Sequence, residues 1–262
     1  MRVLVTGAGR AIGRATVEVL AARGHDVIAT ARDPGLLDGL PATRFLPLDV
    51  SDDHSVRAAV ESAGELDAVV NNAGVPGSGP LETFPLASFV RVLDVNTLGP
   101  LRVAQAVAPH WRKRGSGVLV NVSSVQGKIG TPLEGPYAAS KHALEALSET
   151  LHFELGHFGI RVVIIEPGYI APGMKHDDDH PGPPLYADLH AQWQSTVATL
   201  TGPGGRPGPE LVGAAVADAL EDPSTPLRVE VGQDAALVLE LRRTLGDTEF
   251  EATMREALGL TW

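Results

Sequence analysis

Tyr137 and Lys141 are the two residues of this sequence whose types and spacing most clearly suit proton chemistry. They lie four positions apart in the run Tyr137-Ala138-Ala139-Ser140-Lys141, a spacing that puts both side chains on one face of a helix. A phenol titrates near pH ~10 in water, and a fixed ammonium group one turn away favours its ionised form. We therefore expect Lys141 to lower the pKa of Tyr137, so that the phenol can exchange a proton with a carbonyl or an alcohol.

Short apolar strands alternate with helical segments along the chain, and these elements must position the pair. Strands are predicted at 3–6, 25–30, 45–48, 68–71, 118–123, 161–166 and 228–231. Helices are predicted at 12–22, 51–63, 86–113, 137–157 and 210–221, followed by a helical tail at 237–262. This alternation indicates an α/β fold with a doubly wound parallel sheet and helices on both faces. We expect all 262 residues to form a single domain.

A glycine-rich turn follows the first strand and opens the first helix in the run Thr6-Gly7-Ala8-Gly9-Arg10-Ala11-Ile12-Gly13. Small residues let the backbone approach a pyrophosphate, and a helix N-terminus supplies N–H donors and the positive end of a dipole. The sequence therefore predicts a dinucleotide site at this turn. The alternative is a tight turn that binds no ligand.

The end of the second strand indicates which dinucleotide would bind. An acidic residue here would bind the ribose 2′-hydroxyl of NAD, but this sequence has Ala31 followed by Arg32. Arg10 lies in the glycine turn, and two guanidinium groups suit a 2′-phosphate. We therefore expect NADP(H) as the cofactor, with NAD(H) less favoured. The alternatives are that Asp33 reaches the ribose or that Arg32 is only solvated.

Further motifs occur in the order and at the spacings of one known family. They are Ser124, 13 residues before Tyr137, together with Asn71-Asn72-Ala73-Gly74, Asn96, Leu48-Asp49-Val50 and Pro167-Gly168. With these motifs the chain resembles the short-chain dehydrogenase/reductase family over roughly residues 1–170. The segment 209–235 also looks like the last helix and strand of family members.

The resemblance implies a single Rossmann-type domain with about seven parallel strands and an active site at their C-terminal ends. It implies that Tyr137 is the general acid/base and that Lys141 lowers the pKa of Tyr137 and binds the nicotinamide ribose. Ser124 would hydrogen-bond the substrate oxygen, and Asn96 would hold a water that links Lys141 to bulk solvent. The implied cofactor contacts are Gly7, Arg10, Ala11, Ile12, Gly13, Arg32, Asp49, Val50, Asn72, Ala73, Gly74, Tyr137, Lys141, Pro167, Gly168 and Ile170.

Several of these residues have a purely structural alternative. Asn96 could be a capping or core amide, and Asn71 and Asn72 could mainly bond the turn backbone. Asp49 could cap the following helix instead of contacting the adenine, although Ser51 suits that cap better. Ser123 is expected to be structural.

The chain departs from the family pattern at Pro172, where many members have a threonine that bonds the nicotinamide carboxamide. Proline offers neither a side-chain donor nor an N–H group. The carboxamide would then have to bond backbone groups near Ile170.

The segment 171–209 is predicted to form a lid over the substrate, because Pro- and Gly-rich stretches flank one short segment. Apolar residues recur within it near helical spacing: Leu185, Leu189, Trp193, Val197 and Leu200. They form either a wall for a bulky apolar ketone or ordinary packing onto the domain. Gln126 and Tyr169 are further pocket candidates because both adjoin catalytic motifs.

The amino-acid composition restricts the classes of partner that the protein could bind. The net charge of −11 argues against nucleic acid, and no apolar run approaches the ~20 residues needed to cross a membrane. The absence of cysteine, and an N-terminus that opens on a strand, point to the cytoplasm. The run His176-Asp177-Asp178-Asp179-His180 has metal-ligating residue types, but adjacent loop residues rarely converge on one ion, so we expect no metal. The family resemblance implies a homodimer or homotetramer, and the tail could cover the sheet edge or contact a neighbour.

These observations together predict an NADP(H)-dependent oxidoreductase that interconverts a ketone and a secondary alcohol. The alternative from another class is a redox sensor that binds NADP(H) without catalysis. An isomerase or dehydratase that uses the same hydride chemistry transiently is a third possibility.

Overall fold

The computed structural model describes residues 1–174, 180–199 and 206–262. Within those residues the strands are β1 (Arg2–Val5), β2 (Asp26–Ala31), β3 (Arg44–Pro47), β4 (Ala68–Asn71), β5 (Gly117–Val122), β6 (Ile160–Pro167) and β7 (Arg228–Val231). The α-helices are α1 (Ala11–Ala22), α2 (Asp53–Ala63), α3 (Leu86–Leu93), α4 (Gly99–Arg114), α5 (Gly135–Gly156), α6 (Ala187–Thr199), α7 (Glu210–Glu221), α8 (Gln233–Thr244) and α9 (Asp247–Leu258).

All seven strands form one parallel sheet in the order β3-β2-β1-β4-β5-β6-β7. The strand order reverses between β1 and β4, because the chain first builds outward from β1 to β3 and then crosses to the other side. In sheets of this kind, ligands bind beyond the carboxyl ends of the strands at that reversal. The predicted doubly wound α/β fold with about seven strands is confirmed.

Alternating side chains of the strands pack into two apolar layers. In β1, Val3 faces a core that includes Val17 of α1 and Val216 of α7. The next residue, Leu4, faces the opposite core, which includes Trp111 of α4. Successive strand residues point to opposite faces, so an unbroken apolar strand needs helices on both sides. The sheet is therefore a fixed platform whose C-terminal edge carries the loops described below.

The predicted helix at 86–113 is interrupted in the structure. It consists of α3 and α4 separated by a π-helical segment, Asp94–Leu98. Asn96 and Thr97 of this segment are buried, and a π turn inserts an extra residue that re-aims side chains without ending the helix. Helical periodicity alone could not reveal this insertion.

The C-terminal residues of the chain lie against α6, the helix of the segment predicted to form a lid. Gln192 Oε1 accepts hydrogen bonds from the backbone N–H groups of Thr261 (2.9 Å) and Trp262 (3.3 Å). The ring of Trp262 also stacks on Tyr186, with 5.9 Å between ring centroids. The last residues of the tail, after α9, thus contact Tyr186 and α6 of their own chain, a contact that the sequence did not indicate.

Membrane-spanning helices and metal-binding clusters are both absent from the described residues. None of the helices there is both long and apolar enough to cross a membrane. Nor does any group of three or more histidine and carboxylate side chains in that part of the chain lie where it could hold a metal ion. Residues 176–179 of the metal-like run lie outside the described residues.

Candidate active site

Ser124, Tyr137 and Lys141 converge at the C-terminal end of β5. Ser124 caps a short 3₁₀ turn after this strand, and its hydroxyl accepts a hydrogen bond from the N–H group of Gln126 at 3.2 Å. A side-chain hydrogen bond also links Ser124 to Tyr137 in the first turn of α5. Lys141, one turn further along α5, donates from Nζ to the carbonyl oxygen of Val122 at 2.8 Å. The strand end and the helix together hold the three side chains in one place.

Burial dominates the electrostatics of the tyrosine–lysine pair. The pKa of Tyr137 is raised, first by burial and then by the Glu134 carboxylate, while the hydrogen bond with Ser124 opposes both. Burial lowers the pKa of Lys141 to about 8, and the charge of Glu145 opposes this shift. The Lys141 ammonium lies 5.6 Å from the centroid of the Tyr137 ring.

The expectation that the pKa of Tyr137 lies below its ordinary value is therefore wrong for this structure. The ammonium is directed to the carbonyl of Val122, and desolvation of the phenol outweighs any attraction that the ammonium exerts on the phenolate. Tyr137 consequently keeps its proton at neutral pH. A neutral phenol suits proton donation to a carbonyl oxygen.

Asn96 is fully buried, and its amide is engaged at both ends. Its Oδ1 accepts from the N–H group of Val75 at 2.8 Å, and its Nδ2 donates to the carbonyl of Val75 at 2.9 Å and to Ser140 Oγ at 3.0 Å. Ser140 Oγ donates to the carbonyl of Tyr137 at 2.7 Å. The sequence analysis did not single out Ser140, although its position inside the Tyr-Ala-Ala-Ser-Lys run was a signal. It links Asn96 to the turn of α5 that bears the tyrosine.

The glycine turn packs directly against the loop after β4. Gly7 has a φ of +65°, and a Cβ atom there would lie 2.8 Å from the Cα atom of Ala73. A Cβ atom at Gly13 would lie 2.2 Å from the carbonyl oxygen of Gly7. Thr6 Oγ1 accepts from the N–H groups of Asn72 (3.0 Å) and Ala73 (3.1 Å). No side chain larger than hydrogen fits at these two glycines, so the backbone itself forms the surface at the strand-order reversal.

The N-terminus of α1 fits an anionic ligand. Its N-cap residue, Arg10, makes no side-chain hydrogen bond to the first turn, and that turn contains no acidic residue. Ala11 and Ile12, both half-buried, open the helix. The unpartnered N–H groups of a helix N-terminus and the dipole both favour a phosphate here. The donor set therefore suits the pyrophosphate of a dinucleotide.

Arg32 and Asp33 follow β2, the parallel neighbour of β1. Arg32 is exposed, as is Arg10. The Asp33 carboxylate accepts from the N–H group of Gly35 at 2.9 Å and caps the short helix Pro34–Leu37. That carboxylate is therefore already engaged in the local turn, which weighs against the alternative that it reaches a ribose.

Asp49 does not cap α2, and neither does Ser51. Asp49 Oδ1 accepts from the N–H group (2.9 Å) and the hydroxyl (2.6 Å) of Ser51. Burial raises the pKa of Asp49, but these hydrogen bonds and the charges of Arg32 and Arg102 outweigh it, so the pKa is lowered. The N-cap is Asp52, whose carboxylate accepts hydrogen bonds from the backbone N–H groups of His54 and Ser55. The expectation that Ser51 suits the cap better was wrong, because the hydroxyl of Ser51 bonds Asp49 instead. Val50, which lies between these two residues in the sequence, is buried.

The segment after β6 brings together the predicted nicotinamide and pocket residues. The N–H group of Gly168 donates to the carbonyl of Val231 at 3.0 Å, and Ile170 packs into the apolar core. The pKa of Tyr169 is raised, mainly by burial and the Glu134 carboxylate, while a hydrogen bond with Gln126 is among the opposing effects. Gln126 Nε2 also donates to the Glu134 carboxylate.

Glu134, which the sequence analysis did not single out, therefore lies close to both tyrosines and to Gln126. Its only sequence signal was its place three residues before Tyr137. Asn71 ends β4 and Gly74 lies on the loop after it: a Cβ atom at Gly74 would lie 3.3 Å from Asn96 Oδ1, and Asn71 Nδ2 donates to Asn121 Oδ1 at 2.9 Å.

Helix α6, in the segment predicted to form a lid, packs against a residue close to Tyr137. Leu189 and Trp193 are buried and pack against Leu133, four residues before Tyr137. Tyr186 and Leu258 pack against the same cluster. Leu185 is exposed, while Leu200 and the side chain of Val197 lie outside the described residues.

The sequence profile described as short chain dehydrogenase matches residues 1–181. The chain belongs to the short-chain dehydrogenase family. A 3-ketodihydrosphingosine reductase of Bacteroides thetaiotaomicron is 36% identical over 176 residues, which cover 66% of this chain and 65% of that reductase. The gluconate 5-dehydrogenase of Gluconobacter oxydans is 35% identical over 230 residues, or 82% of this chain and 86% of that enzyme.

Solved structures of short-chain dehydrogenases extend the likeness to nearly the whole chain. One from Streptomyces avermitilis matches with a TM-score of 0.81 and 33% identity, covering 97% of each chain. A gluconate 5-dehydrogenase from Burkholderia cenocepacia, in complex with NADP and tartrate, matches with a TM-score of 0.74 and 28% identity over 90% of this chain and 95% of that one. The predicted family and the predicted Rossmann fold are confirmed.

Proposed function

We propose that this short-chain dehydrogenase interconverts a ketone and a secondary alcohol with NADP(H), using Tyr137 as the general acid/base. The observation that carries the proposal is the convergence of Ser124, Tyr137 and Lys141 at the end of β5, on the edge of the sheet that also bears the glycine turn. The similar structures that contain NADP support a nicotinamide cofactor.

Four residues of the chain each have a separate role in the proton transfer. The nicotinamide cofactor, when bound, supplies the hydride. Tyr137 is protonated at neutral pH and donates its proton to the oxygen of the substrate, while Ser124 hydrogen-bonds the same oxygen. The ammonium of Lys141 then faces the new phenolate and stabilises its charge until Tyr137 is reprotonated. Asn96 holds the water through which that proton arrives.

The cofactor is held by the turn after β1 and by the loops after β2, β3, β4 and β6. Its proposed contacts are Gly7, Arg10, Ala11, Ile12, Gly13, Arg32, Asp49, Val50, Asn72, Ala73, Gly74, Tyr137, Lys141, Pro167, Gly168 and Ile170. The exposed guanidinium groups of Arg10 and Arg32 support NADP(H) over NAD(H), as does the engagement of Asp33 in its own turn.

The cofactor preference is tested by Arg32→Asp. Loss of a guanidinium from the 2′-phosphate and gain of an acid beside the ribose should lower the ratio of kcat/KM for NADPH to that for NADH by about tenfold or more. The matched control is Arg112→Asp in the last turn of α4, which precedes β5 and so lies at the opposite edge of the sheet. An unchanged ratio in Arg32→Asp would contradict the assignment.

For the substrate we propose a bulky ketone with an apolar part. Leu189 and Trp193 of α6, with Leu133, supply apolar groups next to the turn that bears Tyr137, and Gln126 and Tyr169 supply polar groups. Absorbance loss of NADPH against ketones of increasing size measures this preference. Binding of NADPH without turnover of any ketone would favour the sensor alternative instead.

We also propose a homodimer or homotetramer in the cytoplasm. Large apolar side chains are exposed on α3 and α5, including Leu86, Val90 and Phe153, which favours burial against a second copy of the chain. The absence of cysteine supports a reducing compartment. A monomer in light scattering would contradict the oligomer.

A further inference from the structure

The segment Gly168–Ala171, which follows β6, is anchored by the C-terminal part of the chain. The N–H group of Tyr169 donates to Asp234 Oδ2 at 2.6 Å, and that of Ala171 donates to the carbonyl of Pro207 at 2.9 Å. Ile170 therefore lies between two residues whose backbone N–H groups are both hydrogen-bonded. Its side chain is also packed in the core, so the orientation of its backbone is set from three directions.

Asp234 is the one side chain among these anchors. It stands in the first turn of α8, 65 residues after Tyr169, and its carboxylate lies in space left by two glycines. A Cβ atom at Gly168 would lie 2.2 Å from Asp234 Oδ2, and one at Gly232 would lie 2.6 Å from Asp234 Oδ1. The carboxylate therefore occupies the volume that side chains at positions 168 and 232 would otherwise fill. Alanine at either glycine would therefore force the Asp234 carboxylate to move.

Asp234 also compensates for a feature of this sequence. Pro172 cannot donate a hydrogen bond from either its side chain or its backbone, so the segment lacks a donor of its own at that position. The backbone must then be held still by other means if it is to present hydrogen-bonding groups to a ligand. A hydrogen bond from an N–H group to a charged carboxylate is stronger than a neutral one.

We propose that Asp234 is a positioning residue that fixes the backbone of Gly168–Ile170 for the nicotinamide end of the cofactor. The proposal rests on the proposed function, because it assumes a nicotinamide at this segment. Asp234 acts through Tyr169 and Gly168 and touches neither substrate nor cofactor. The adenine end, held by the loops after β1, β2 and β3, does not depend on it.

This division between the two ends gives a binding test that does not need turnover. The dissociation constants of NADPH and of 2′-phospho-ADP-ribose, which lacks the nicotinamide, are measured by fluorescence and calorimetry for wild type, Asp234→Ala and Asp234→Asn. We expect Asp234→Ala to weaken NADPH binding by about tenfold and to leave 2′-phospho-ADP-ribose binding unchanged. Asp234→Asn should restore NADPH binding, because its amide oxygen can still accept from Tyr169.

Glu240→Ala is the matched control, since Glu240 is an exposed acid of the same helix and its carboxylate, among the described contacts, accepts hydrogen bonds only from Arg243. It should leave both constants unchanged. Equal affinity of Asp234→Ala and wild type for NADPH would overturn the role. So would an equal loss for both ligands, which would mean that Asp234 only supports the fold.

Gly168→Ala tests the same contact without removing the carboxylate. Its methyl group would displace Asp234, so we expect the same selective loss of NADPH binding, and the double variant Gly168→Ala/Asp234→Ala should be no weaker than the worse single variant. Additive losses would overturn the coupling. If wild type prefers NADH, the pair NADH and ADP-ribose replaces the phosphorylated pair. Failure of wild type to bind any of the four nucleotides would instead refute the proposed function, and this role with it.

Discussion

Tyr137 and its neighbours show how much residue spacing can predict. The four-residue spacing of Tyr137 and Lys141 correctly placed both on one helix, and the 13-residue spacing placed Ser124 beside the tyrosine. The direction of the tyrosine pKa was wrong, because spacing says nothing about burial. Lys141 is buried and Tyr137 is half-buried, and desolvation disfavours the charged form of each.

The two adjacent serines after β5 offer a matched pair of variants. Ser124 bonds Tyr137, whereas the hydroxyl of Ser123 is buried without a hydrogen-bond partner among the described residues. We expect Ser124→Ala to lower kcat by about a hundredfold, because one hydrogen bond to the reacting oxygen is lost. Ser123→Ala should keep kcat within about twofold of wild type. Steady-state kinetics of both variants check this, and equal losses would contradict the assignment of Ser124.

Glu166, the residue before Pro167 in β6, should make stability depend on pH. Burial first, and then the charge of Glu145, raise the pKa of Glu166 from 4.5 to about 7. Between these values the folded protein holds a proton that the unfolded chain has released, so the free energy of unfolding falls as pH rises through this window. The charged groups that face it are Glu145, Lys128, Arg228 and Glu230.

The variant Glu166→Gln lacks this titration. Its free energy of unfolding, relative to that of wild type, should rise between pH 4.5 and pH 8. Urea unfolding at a series of pH values measures the difference. A difference that stays constant across this window would show that Glu166 does not bind a proton on folding.

At the scale of elements, strands were predicted better than helix interruptions and caps. The strands are short apolar runs bounded by turns, and all of them were found within one or two residues of their predicted ends. The π segment Asp94–Leu98 and the Asp52 cap depend on which polar side chain meets which backbone group. Several nearby polar residues, such as Ser51, could have capped the helix. The local sequence therefore does not decide which of them forms the cap.

Helix α6 has one buried aromatic residue, Trp193, that packs against the rest of the protein. Trp193 packs against Leu133 and Leu189, and its truncation would leave a large cavity. Trp193→Ala should therefore lower the free energy of unfolding by about 3–5 kcal/mol, measured by denaturant unfolding. Leu185→Ala on the adjoining turn is the control, because Leu185 is 61% exposed, and it should change stability by less than about 0.5 kcal/mol. A loss of similar size in both variants would mean that Trp193 is not an anchor.

At the scale of the whole molecule, contacts between distant segments are what the sequence could not reveal. The fold class, the edge of the sheet that carries the site and the glycine turn follow from local patterns. The bond from Tyr169 to Asp234 spans 65 residues, and the bonds from the chain's last residues to Gln192 span about as many. Such pairs carry no periodicity, and they become visible only when the strands and helices are assembled.

The central claim is that Tyr137 supplies the proton for reduction of a ketone by NADPH, and one comparison tests it most directly. NADPH oxidation over a panel of bulky ketones is measured for wild type and Tyr137→Phe, with the NADPH dissociation constant determined for each. The account predicts turnover by wild type and a loss of about 10²- to 10⁴-fold in kcat for the variant, with NADPH still bound. Turnover by Tyr137→Phe at the rate of wild type, with NADPH bound equally well, would contradict it.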